Sequence, residues 1–241
     1  KLNIPDGTDI KEIYAELKGK GYSDEDILNA VLESNPELIE ELYKNRYKTY
    51  GVDTACEYTK LYPELYVTPP SEFKKADKTI YLTFDDGPSE ETLLILSILE
   101  KYDIKATFFL CGSETEQGKA IIKKIADDGH SIGIHSYSHD YNKIYQSPEA
   151  FLDDMAKTSK LIEDACGIKP DIYRFPGGSI NNYNRSIYIQ LIAEITRRGY
   201  VYYDWDVSGQ DASNSANWTS IYRNVTNGVK GKNSSIILLH S

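Results

Sequence analysis

Short apolar segments alternate with longer amphipathic segments from about residue 78 to the end of the chain. The amphipathic segments have helical spacing, and the apolar ones are typical of strands. A strand followed by a helix, repeated several times, predicts an α/β fold with a parallel sheet and helices outside it. Periodicity does not choose between an open doubly wound sheet and a closed (β/α) barrel. The predicted strands are TIYLTF at 79–84, KATFFL at 105–110, HSIGIH at 130–135, DIYRF at 171–175, YVYYDWDV at 200–207 and SIILLH at 235–240.

Polar side chains recur where these predicted strands end. The carboxyl ends of parallel strands meet at one rim, which is where barrels and open α/β sheets build their sites. Because nearly every strand–helix unit contributes to this rim, the pattern predicts a functional site there. The residues concerned are Asp85, Asp86, His135, His139, Arg174, Asp206, Asp211 and His240.

Histidine usage indicates a metal centre. Only four histidines occur in the chain, and three of them lie at the predicted rim. The spacing of His135 and His139 would place both imidazoles on one face of a helical turn, as a shared cation requires. With Asp86 as a third ligand, the set would leave coordination positions open for water and substrate, which is typical of catalytic sites. A lone histidine is more often a satisfied core or surface residue, so the prediction depends on the three together.

The adjacent carboxylates of TFDDGPS, at residues 83–89, are predicted to have different roles. Successive strand residues point to opposite faces, so Asp86 can bind the cation while Asp85 faces its bound water as a general base. Arg174 is expected to hold Asp85 ionised and oriented, although a surface ion pair is the alternative for Arg174 taken alone. His240, on the opposite side, is expected to act as a general acid.

Residues 1–70 are predicted to be mostly helical and to form a small N-terminal region. They contain 8 basic and 14 acidic residues, a net charge of −6. We expect a spacer or packing appendage rather than a binding domain. Its boundary is placed at the Pro69–Pro70 step, because a proline pair favours extended backbone.

Composition narrows the function classes. A formal net charge of −10 argues against nonspecific binding of nucleic acid or anionic membrane. Three cysteines without a C-x-x-C pair argue against a disulfide framework and against a thiolate metal site. No apolar run reaches the length of a membrane span. Since the chain starts at Lys1 rather than Met, we expect a trimmed product from which a leader or anchor is missing.

Five segments in order, TFDDGP, HSYSH, RFPGG, the residues around Asp211, and LLH, resemble the motifs of the polysaccharide deacetylases. These enzymes are carbohydrate esterase family four and share the NodB homology domain. The resemblance covers residues 78–241, and TFDDGP followed by the histidine pair is its most specific part. It implies a distorted (β/α) barrel, over residues 71–241, that removes N- or O-acetyl groups from polysaccharides with a divalent metal.

The resemblance also implies roles for individual residues. Asp85 would be the catalytic base, positioned by Arg174. His240 would protonate the departing amine, and Asp211 would tune the pKa of His240. The backbone N–H of Gly177 would help to bind the oxyanion. It further implies three metal ligands and two substrate contacts: Asp86, His135 and His139 for the metal, and Tyr137 and Trp205 for the substrate.

Three departures from the family pattern carry their own expectations. SGQDA stands where the family shows D-x-x-D-W, so Ser208 and Ala212 replace an aspartate and a tryptophan. The aromatic wall is therefore expected to be missing or supplied by Trp205 or a tyrosine. The glycine pair of RFPGG replaces bulkier residues, which predicts a more open groove. The chain stops one residue after His240, so we expect the domain to lack its last helix and strand.

These features predict a metal-dependent hydrolase that removes N-acetyl groups from N-acetylglucosamine residues of peptidoglycan or of a chitin-like polymer. The alternatives are an O-acetyl xylan esterase using the same site, and a non-catalytic carbohydrate-binding or interaction protein. Zinc is the expected metal, and the same donors accept cobalt, nickel or manganese. The substrate class places the protein outside the cytoplasm, secreted or associated with the cell envelope.

Overall fold

The computed structural model describes residues 16–22, 57–69 and 76–241. Residues 16–19 are helical, and 3-10 helices follow at Glu57–Lys60 and Pro63–Leu65. From residue 79 strands and helices alternate as predicted. Their bounds are β1 Thr79–Asp85, α1 Glu90–Lys101, β2 Thr107–Cys111, α2 Glu116–Asp127, β3 Ser131–Ser136, α3 Tyr141–Ile144, α4 Pro148–Cys166, β4 Ile172–Tyr173, α5 Tyr188–Arg197, β5 Val201–Tyr202, β6 Val207–Ser208, α6 Trp218–Val229 and β7 Ser234–His240.

All strand pairings are parallel, and the strand order is β5-β4-β3-β2-β1-β7-β6. The two edge strands, β5 and β6, are nearly consecutive in sequence, with only residues 203–206 between them. In a flat sheet of this size the edges would be about 29 Å apart, whereas so short a connection spans at most about 17 Å. The sheet must therefore curl, and residues 203–206 cross between its edges. This is the predicted distorted barrel.

The predicted single strand at 200–207 is wrong. Its first part is β5, its last part is β6, and the two pair with different neighbours at opposite edges of the sheet. Val201 of β5 and Val207 of β6 are both buried and lie an even number of positions apart, so the alternation of apolar residues is the same as in one long strand. Sequence periodicity therefore did not show that the chain changes partners between them.

Local sequence explains where the main helices begin and end. The Ser89 side chain accepts a hydrogen bond from the backbone N–H of Thr92, and the Thr92 hydroxyl accepts one from Ser89, which forms a capping box at the start of α1. The Ser147 side chain caps α4 by accepting a hydrogen bond from the backbone N–H of Ala150, and Pro148 lies in the first turn. The α4 helix ends at Gly167, which has a φ of 74°, a conformation that favours glycine.

The core lies between the sheet and the helices that cover its outer face. It contains side chains from β2 and β3, such as Phe108 and Ile134, and from α4, such as Met155, all fully buried. Because the polar rim residues follow directly on these buried strands, the packing of the core fixes where each strand end lies.

Residues 57–69 pack against this core. Leu65 is fully buried within it, and the Arg198 guanidinium donates hydrogen bonds to the carbonyl oxygens of Tyr58 and Leu61 at 2.8 and 3.0 Å. Most of the helical region predicted for residues 1–70 lies outside the described residues, so its structure and the boundary at residue 70 stay predictions. No helix in the described ranges is long and apolar enough to cross a membrane.

Candidate active site

The site is built around the end of β1, the strand next to the middle of the sheet. Asp85, its last residue, is buried and lies in register with Phe109 of β2 and His240 of β7. Asp86 follows with a φ of 75°, outside the strand conformation. The two neighbouring carboxylates therefore leave the backbone in different directions because the chain turns at Asp86, and not through the strand alternation expected from the sequence. Asp85 pairs with Arg174 and Asp86 with His139, while both lie near His135.

Asp86, His135 and His139 offer ligand atoms that all lie within 4.8 Å of one another. The Oδ1 atom of Asp86 is 3.4 Å from Nε2 of His135 and 3.3 Å from Nε2 of His139. The helical turn expected for the histidine spacing is wrong. His135 belongs to β3, and His139 follows the strand with a φ of 49°. A strand and a tight turn bring the two imidazoles together instead.

The protonation of the cluster suits a divalent cation. His135 Nδ1 lies 2.8 Å from the carbonyl oxygen of Arg174, so it carries the proton and leaves the Nε2 lone pair facing Asp86. Burial, followed by the charge of His135, lowers the pKa of His139. Burial alone would raise the pKa of Asp86, but the two neighbouring imidazoles lower it overall. Two imidazoles and one carboxylate, with their ligand atoms close together, form a donor set that fits a metal ion.

A carboxylate of α4, Asp154, holds the loop that carries the histidines. Its Oδ1 accepts hydrogen bonds from the Ser136 hydroxyl and the Tyr137 N–H, both at 2.7 Å. Its Oδ2 accepts from the N–H and hydroxyl of Ser138 at 2.9 and 2.8 Å. The Ser136 hydroxyl oxygen in turn accepts from the N–H of His139 at 2.9 Å. One buried side chain thus fixes the turn between the two histidines.

Asp154 is not among the site residues that the sequence predicted. The signal was present, because in FLDDMAK this aspartate stands between Leu152 and Met155, both of which lie on the buried face of α4. An acidic residue on the apolar side of a helix needs buried hydrogen-bond donors.

Asp85 and Arg174 form a buried ion pair. Arg174 Nη1 donates to Asp85 Oδ1 at 2.9 Å and to the Thr83 hydroxyl at 2.6 Å. Its Nε donates to the carbonyl oxygen of Tyr203 at 3.0 Å, and its guanidinium lies 4.2 Å from the centre of the Phe109 ring. The alternative of a surface ion pair is therefore wrong. The other oxygen of Asp85, Oδ2, is 3.9 Å from His135 Nε2 and so faces the cluster of Asp86, His135 and His139, the candidate metal site.

His240 and Asp211 form a second pair at the rim. His240 Nδ1 is 2.9 Å from Asp211 Oδ1, and the backbone N–H of His240 donates to Asp211 Oδ2 at 2.7 Å. The hydrogen bond with Asp211 raises the pKa of His240, although burial opposes it. Asp211 has therefore kept its contact with the histidine, even though SGQDA departs from the family pattern around it.

The two glycines of RFPGG do not leave open space. Gly177 has a φ of 75°, and a Cβ added there would lie 2.8 Å from Cε1 of Tyr141. Gly178 has a φ of 89°, and its added Cβ would lie 3.4 Å from Cη2 of Trp205. The expected open groove is therefore wrong at this point, because Tyr141 and Trp205 occupy the space. Trp205 also lies beside Arg174, with 6.0 Å between the centre of its ring and the guanidinium carbon Cζ.

The Tyr137 side chain points away from the cluster of Asp86, His135 and His139. The Tyr137 hydroxyl donates a hydrogen bond to Glu114. The Tyr137 ring packs over Gly112, where an added Cβ would lie 2.7 Å from Cδ2 of the tyrosine. These contacts point towards the loop before α2 rather than to the histidines. Its role as a substrate contact stays a prediction.

Comparisons with known proteins concern the fold and the family of the chain. The polysaccharide deacetylase family matches residues 73–194, about half of the chain. The solved catalytic domain of a peptidoglycan N-acetylglucosamine deacetylase from Eubacterium rectale ATCC 33656 is similar with a TM-score of 0.66 and 38% identity, over 74% of this chain and 81% of that one.

Curated relatives extend the comparison. A peptidoglycan-N-acetylglucosamine deacetylase of Bacillus cereus is 34% identical over 66% of this chain and 56% of its own length. A bifunctional xylanase/deacetylase of Pseudobutyrivibrio xylanivorans is 34% identical over 68% of this chain and 25% of its own. The chain therefore spans about half, or less, of the length of these relatives. With the family match over half of its residues and the matching fold, the chain belongs to the polysaccharide deacetylase family.

Proposed function

We propose that this chain is a metal-dependent deacetylase that hydrolyses the N-acetyl group of N-acetylglucosamine residues in peptidoglycan. One observation carries the proposal: a carboxylate–histidine cluster has the Arg174–Asp85 pair on one side and the Asp211–His240 pair at the neighbouring strand end. A base and an acid, each held by an oppositely charged partner, are what amide hydrolysis needs around one acyl carbon.

The metal ligands in this proposal are Asp86, His135 and His139. When bound, a divalent cation, zinc by preference or else cobalt, nickel or manganese, lowers the pKa of a water and polarises the acyl oxygen. The tautomer of His135, set by its hydrogen bond to the Arg174 carbonyl oxygen, presents the correct nitrogen for this role.

The chain's own side chains handle the protons. Asp85 removes a proton from the attacking water as its oxygen forms a bond with the acyl carbon, and Arg174 keeps the carboxylate aligned. The backbone N–H of Gly177 donates to the oxyanion. His240 then gives its proton to the departing nitrogen as the C–N bond breaks, so acetate leaves and the sugar amine remains. Asp211 orients the His240 ring and keeps it protonated.

The choice of polymer follows the named relatives. The Bacillus and Eubacterium proteins are named for peptidoglycan N-acetylglucosamine, and a peptidoglycan substrate would place this protein outside the cytoplasm. A second candidate, O-acetyl ester hydrolysis on xylan, is favoured by the similarity to the bifunctional xylanase/deacetylase. The same base and metal cluster would serve both reactions, but an ester needs less help from an acid at the leaving group.

Elemental analysis combined with acetate release tests the proposal. The purified chain should hold a divalent metal and release acetate from peptidoglycan and from N-acetylglucosamine oligomers. Chelation should abolish this activity, and the metal should restore it. Acetate released from acetyl-xylan alone would favour the esterase. A chain with neither metal nor acetate release from any of these polymers would refute both functions and favour a non-catalytic binding or interaction protein.

A further inference from the structure

Two tyrosines form a pair directly beside the metal cluster. Tyr141, at the start of α3, meets the ring of His139 edge to face, with centroids 5.4 Å apart and an interplanar angle of 89°. Its other neighbour is Tyr183, whose ring centroid lies 5.0 Å away. Tyr183 comes from the loop that follows β4, so the pair connects the loop of the histidines with the loop of the two glycines.

The hydroxyl of Tyr141 lies next to Gly177, whose backbone N–H is the proposed donor to the oxyanion. An added Cβ on Gly177 would be 3.2 Å from this hydroxyl oxygen, so the phenol lies over the backbone to which we assign the oxyanion. Neighbouring Tyr145 donates its hydroxyl to the Pro176 carbonyl oxygen at 2.7 Å. No such partner is found for the Tyr141 hydroxyl among residues 16–22, 57–69 and 76–241. A half-buried polar group at this position is available to a ligand.

Tyr183 combines exposure with a fixed backbone. Its side chain is 55% exposed. Its N–H donates to Asn181 Oδ1 at 2.8 Å, and Asn181 Nδ2 donates to the carbonyl oxygens of Pro176 and Gly178, both at 3.1 Å. A large apolar ring that is held at the surface loses little conformational entropy when it binds a ligand.

We propose that Tyr141 and Tyr183 form a sugar-binding subsite beside the metal cluster. The exposed face of Tyr183 stacks on the apolar face of an N-acetylhexosamine ring, and the Tyr141 hydroxyl hydrogen-bonds to the acetylated sugar unit. An aromatic face beside a polar tip suits a neutral carbohydrate, which has C–H faces and hydroxyl edges. The assignment rests on the proposed function, whose substrate supplies such rings.

Binding of the N-acetylglucosamine tetramer tests this subsite. Calorimetry measures affinity directly on the Asp85→Asn chain, in which the expected loss of turnover keeps the oligomer intact during the titration. Tyr183→Ala and Tyr141→Phe in this background should each weaken binding about tenfold, or ~1.4 kcal/mol. Tyr102→Ala is the matched control, because Tyr102 is 63% exposed and follows the end of α1 that points away from the rim. It should leave the affinity unchanged.

Kinetics provides a second readout. In the chain with intact Asp85, Tyr183→Ala should raise the KM for the tetramer with little change in kcat, while the metal content stays the same. A pair that only supports the His139 loop would instead lose metal on Tyr183→Ala and leave tetramer affinity per metal-loaded chain unchanged. That result would overturn the subsite.

The outcomes separate the subsite from the proposed function. Equal tetramer binding by the Tyr183→Ala and Tyr102→Ala chains overturns the subsite, even if acetate is released. Selective loss of binding in Tyr183→Ala supports the subsite, even if no acetate is released and the proposed function fails. A chain that binds no tetramer before either tyrosine is changed also overturns it.

Discussion

Arg174 Nη1 donates a hydrogen bond to Asp85 Oδ1 at 2.9 Å, and both side chains are buried. One carboxylate oxygen of Asp85 is used in this pair, while Oδ2 faces His135 at 3.9 Å. The aspartate is therefore fixed through one oxygen, while its other oxygen faces the Asp86–His135–His139 cluster, as the proposed base requires.

Replacing Asp85 with asparagine should remove the base but keep the metal ligands. Arg174 can still donate to the amide oxygen, so the chain should remain folded. Turnover should fall by about 10²–10⁴-fold, the usual contribution of a general base. Acetate release and metal content measured on the same sample check this. The control is His135→Ala, which should lose the metal itself, and full activity of the Asp85→Asn chain would refute the assigned role.

Replacing Asp211 with asparagine should shift the pH dependence of the reaction. The hydrogen bond to Asp211 raises the pKa of His240, so the protonated acid persists to higher pH. Without the Asp211 charge this pKa falls, and the decline of kcat/KM on the basic side should move to lower pH. A pH profile of the two chains measures the displacement. An unchanged basic limb would mean that His240 is not the acid seen in that limb.

Replacing Asp154 with asparagine should weaken metal binding although the residue is not a ligand. An amide cannot accept all four hydrogen bonds of this carboxylate, so the turn before His139 should loosen. Loss of such supporting contacts typically costs about 10–100-fold in metal affinity, which a competition titration with a chelator measures.

The matched control for Asp154 is Asp164→Asn on the same helix. Asp164 is exposed and pairs with Lys160, and its replacement should leave the metal affinity unchanged. Equal affinities in both variants would show that Asp154 serves only the fold.

Replacing Gly177 with alanine should affect activity more than stability. Its φ of 75° makes any side chain unfavourable, and a Cβ would also push against Tyr141 at 2.8 Å. Gly167 isolates the first effect, because it has a φ of 74° and nothing within 4 Å of its added Cβ. The left-handed backbone should cost each alanine about 1–2 kcal/mol of unfolding free energy, the clash with Tyr141 adds to this only at Gly177, and only Gly177→Ala should reduce deacetylation. Similar activity losses in both variants would contradict the role of this contact.

Replacing Leu65 with alanine tests whether the segment before residue 70 belongs to the folding unit. Leu65 is fully buried in the main core, so its truncation should lower the free energy of unfolding by about 2–5 kcal/mol. Leu94→Ala, at a side chain that is 66% exposed on α1, should change it by less than about 0.5 kcal/mol. Denaturant titration of both chains gives the comparison. A small effect at Leu65 would mean that the segment adds little to the stability of the barrel.

The sequence predicts the parts of this site that depend on strand ends. The last residues of parallel strands lie at the same rim. Their positions after two predicted strands were therefore enough to predict that Asp86, His135 and His139 lie close together. Alternation of side chains along a strand predicted different roles for Asp85 and Asp86, whereas in the structure the left-handed φ of 75° at Asp86 separates the two side chains.

Other parts depend on contacts that no local pattern records. The filling of the space over Gly177 requires knowing that Tyr141, from a different loop, turns towards it. The division of 200–207 into two strands depends on pairing partners far away in sequence. Asp154 was detectable only as an acid on the buried side of a helix, and its partners lie in a loop that the helical pattern does not identify.

Residues 203–206, which connect the two edge strands, also present the carbonyl oxygens of Tyr203 and Asp204 to the guanidinium of Arg174. The connection between the two edges of the curled sheet therefore also holds Arg174, the partner of the proposed base Asp85. Most surface connections tolerate added or deleted residues, but a length change here would alter barrel curvature and base geometry in one step. These four residues therefore determine both the curvature of the sheet and the position of the Arg174 guanidinium.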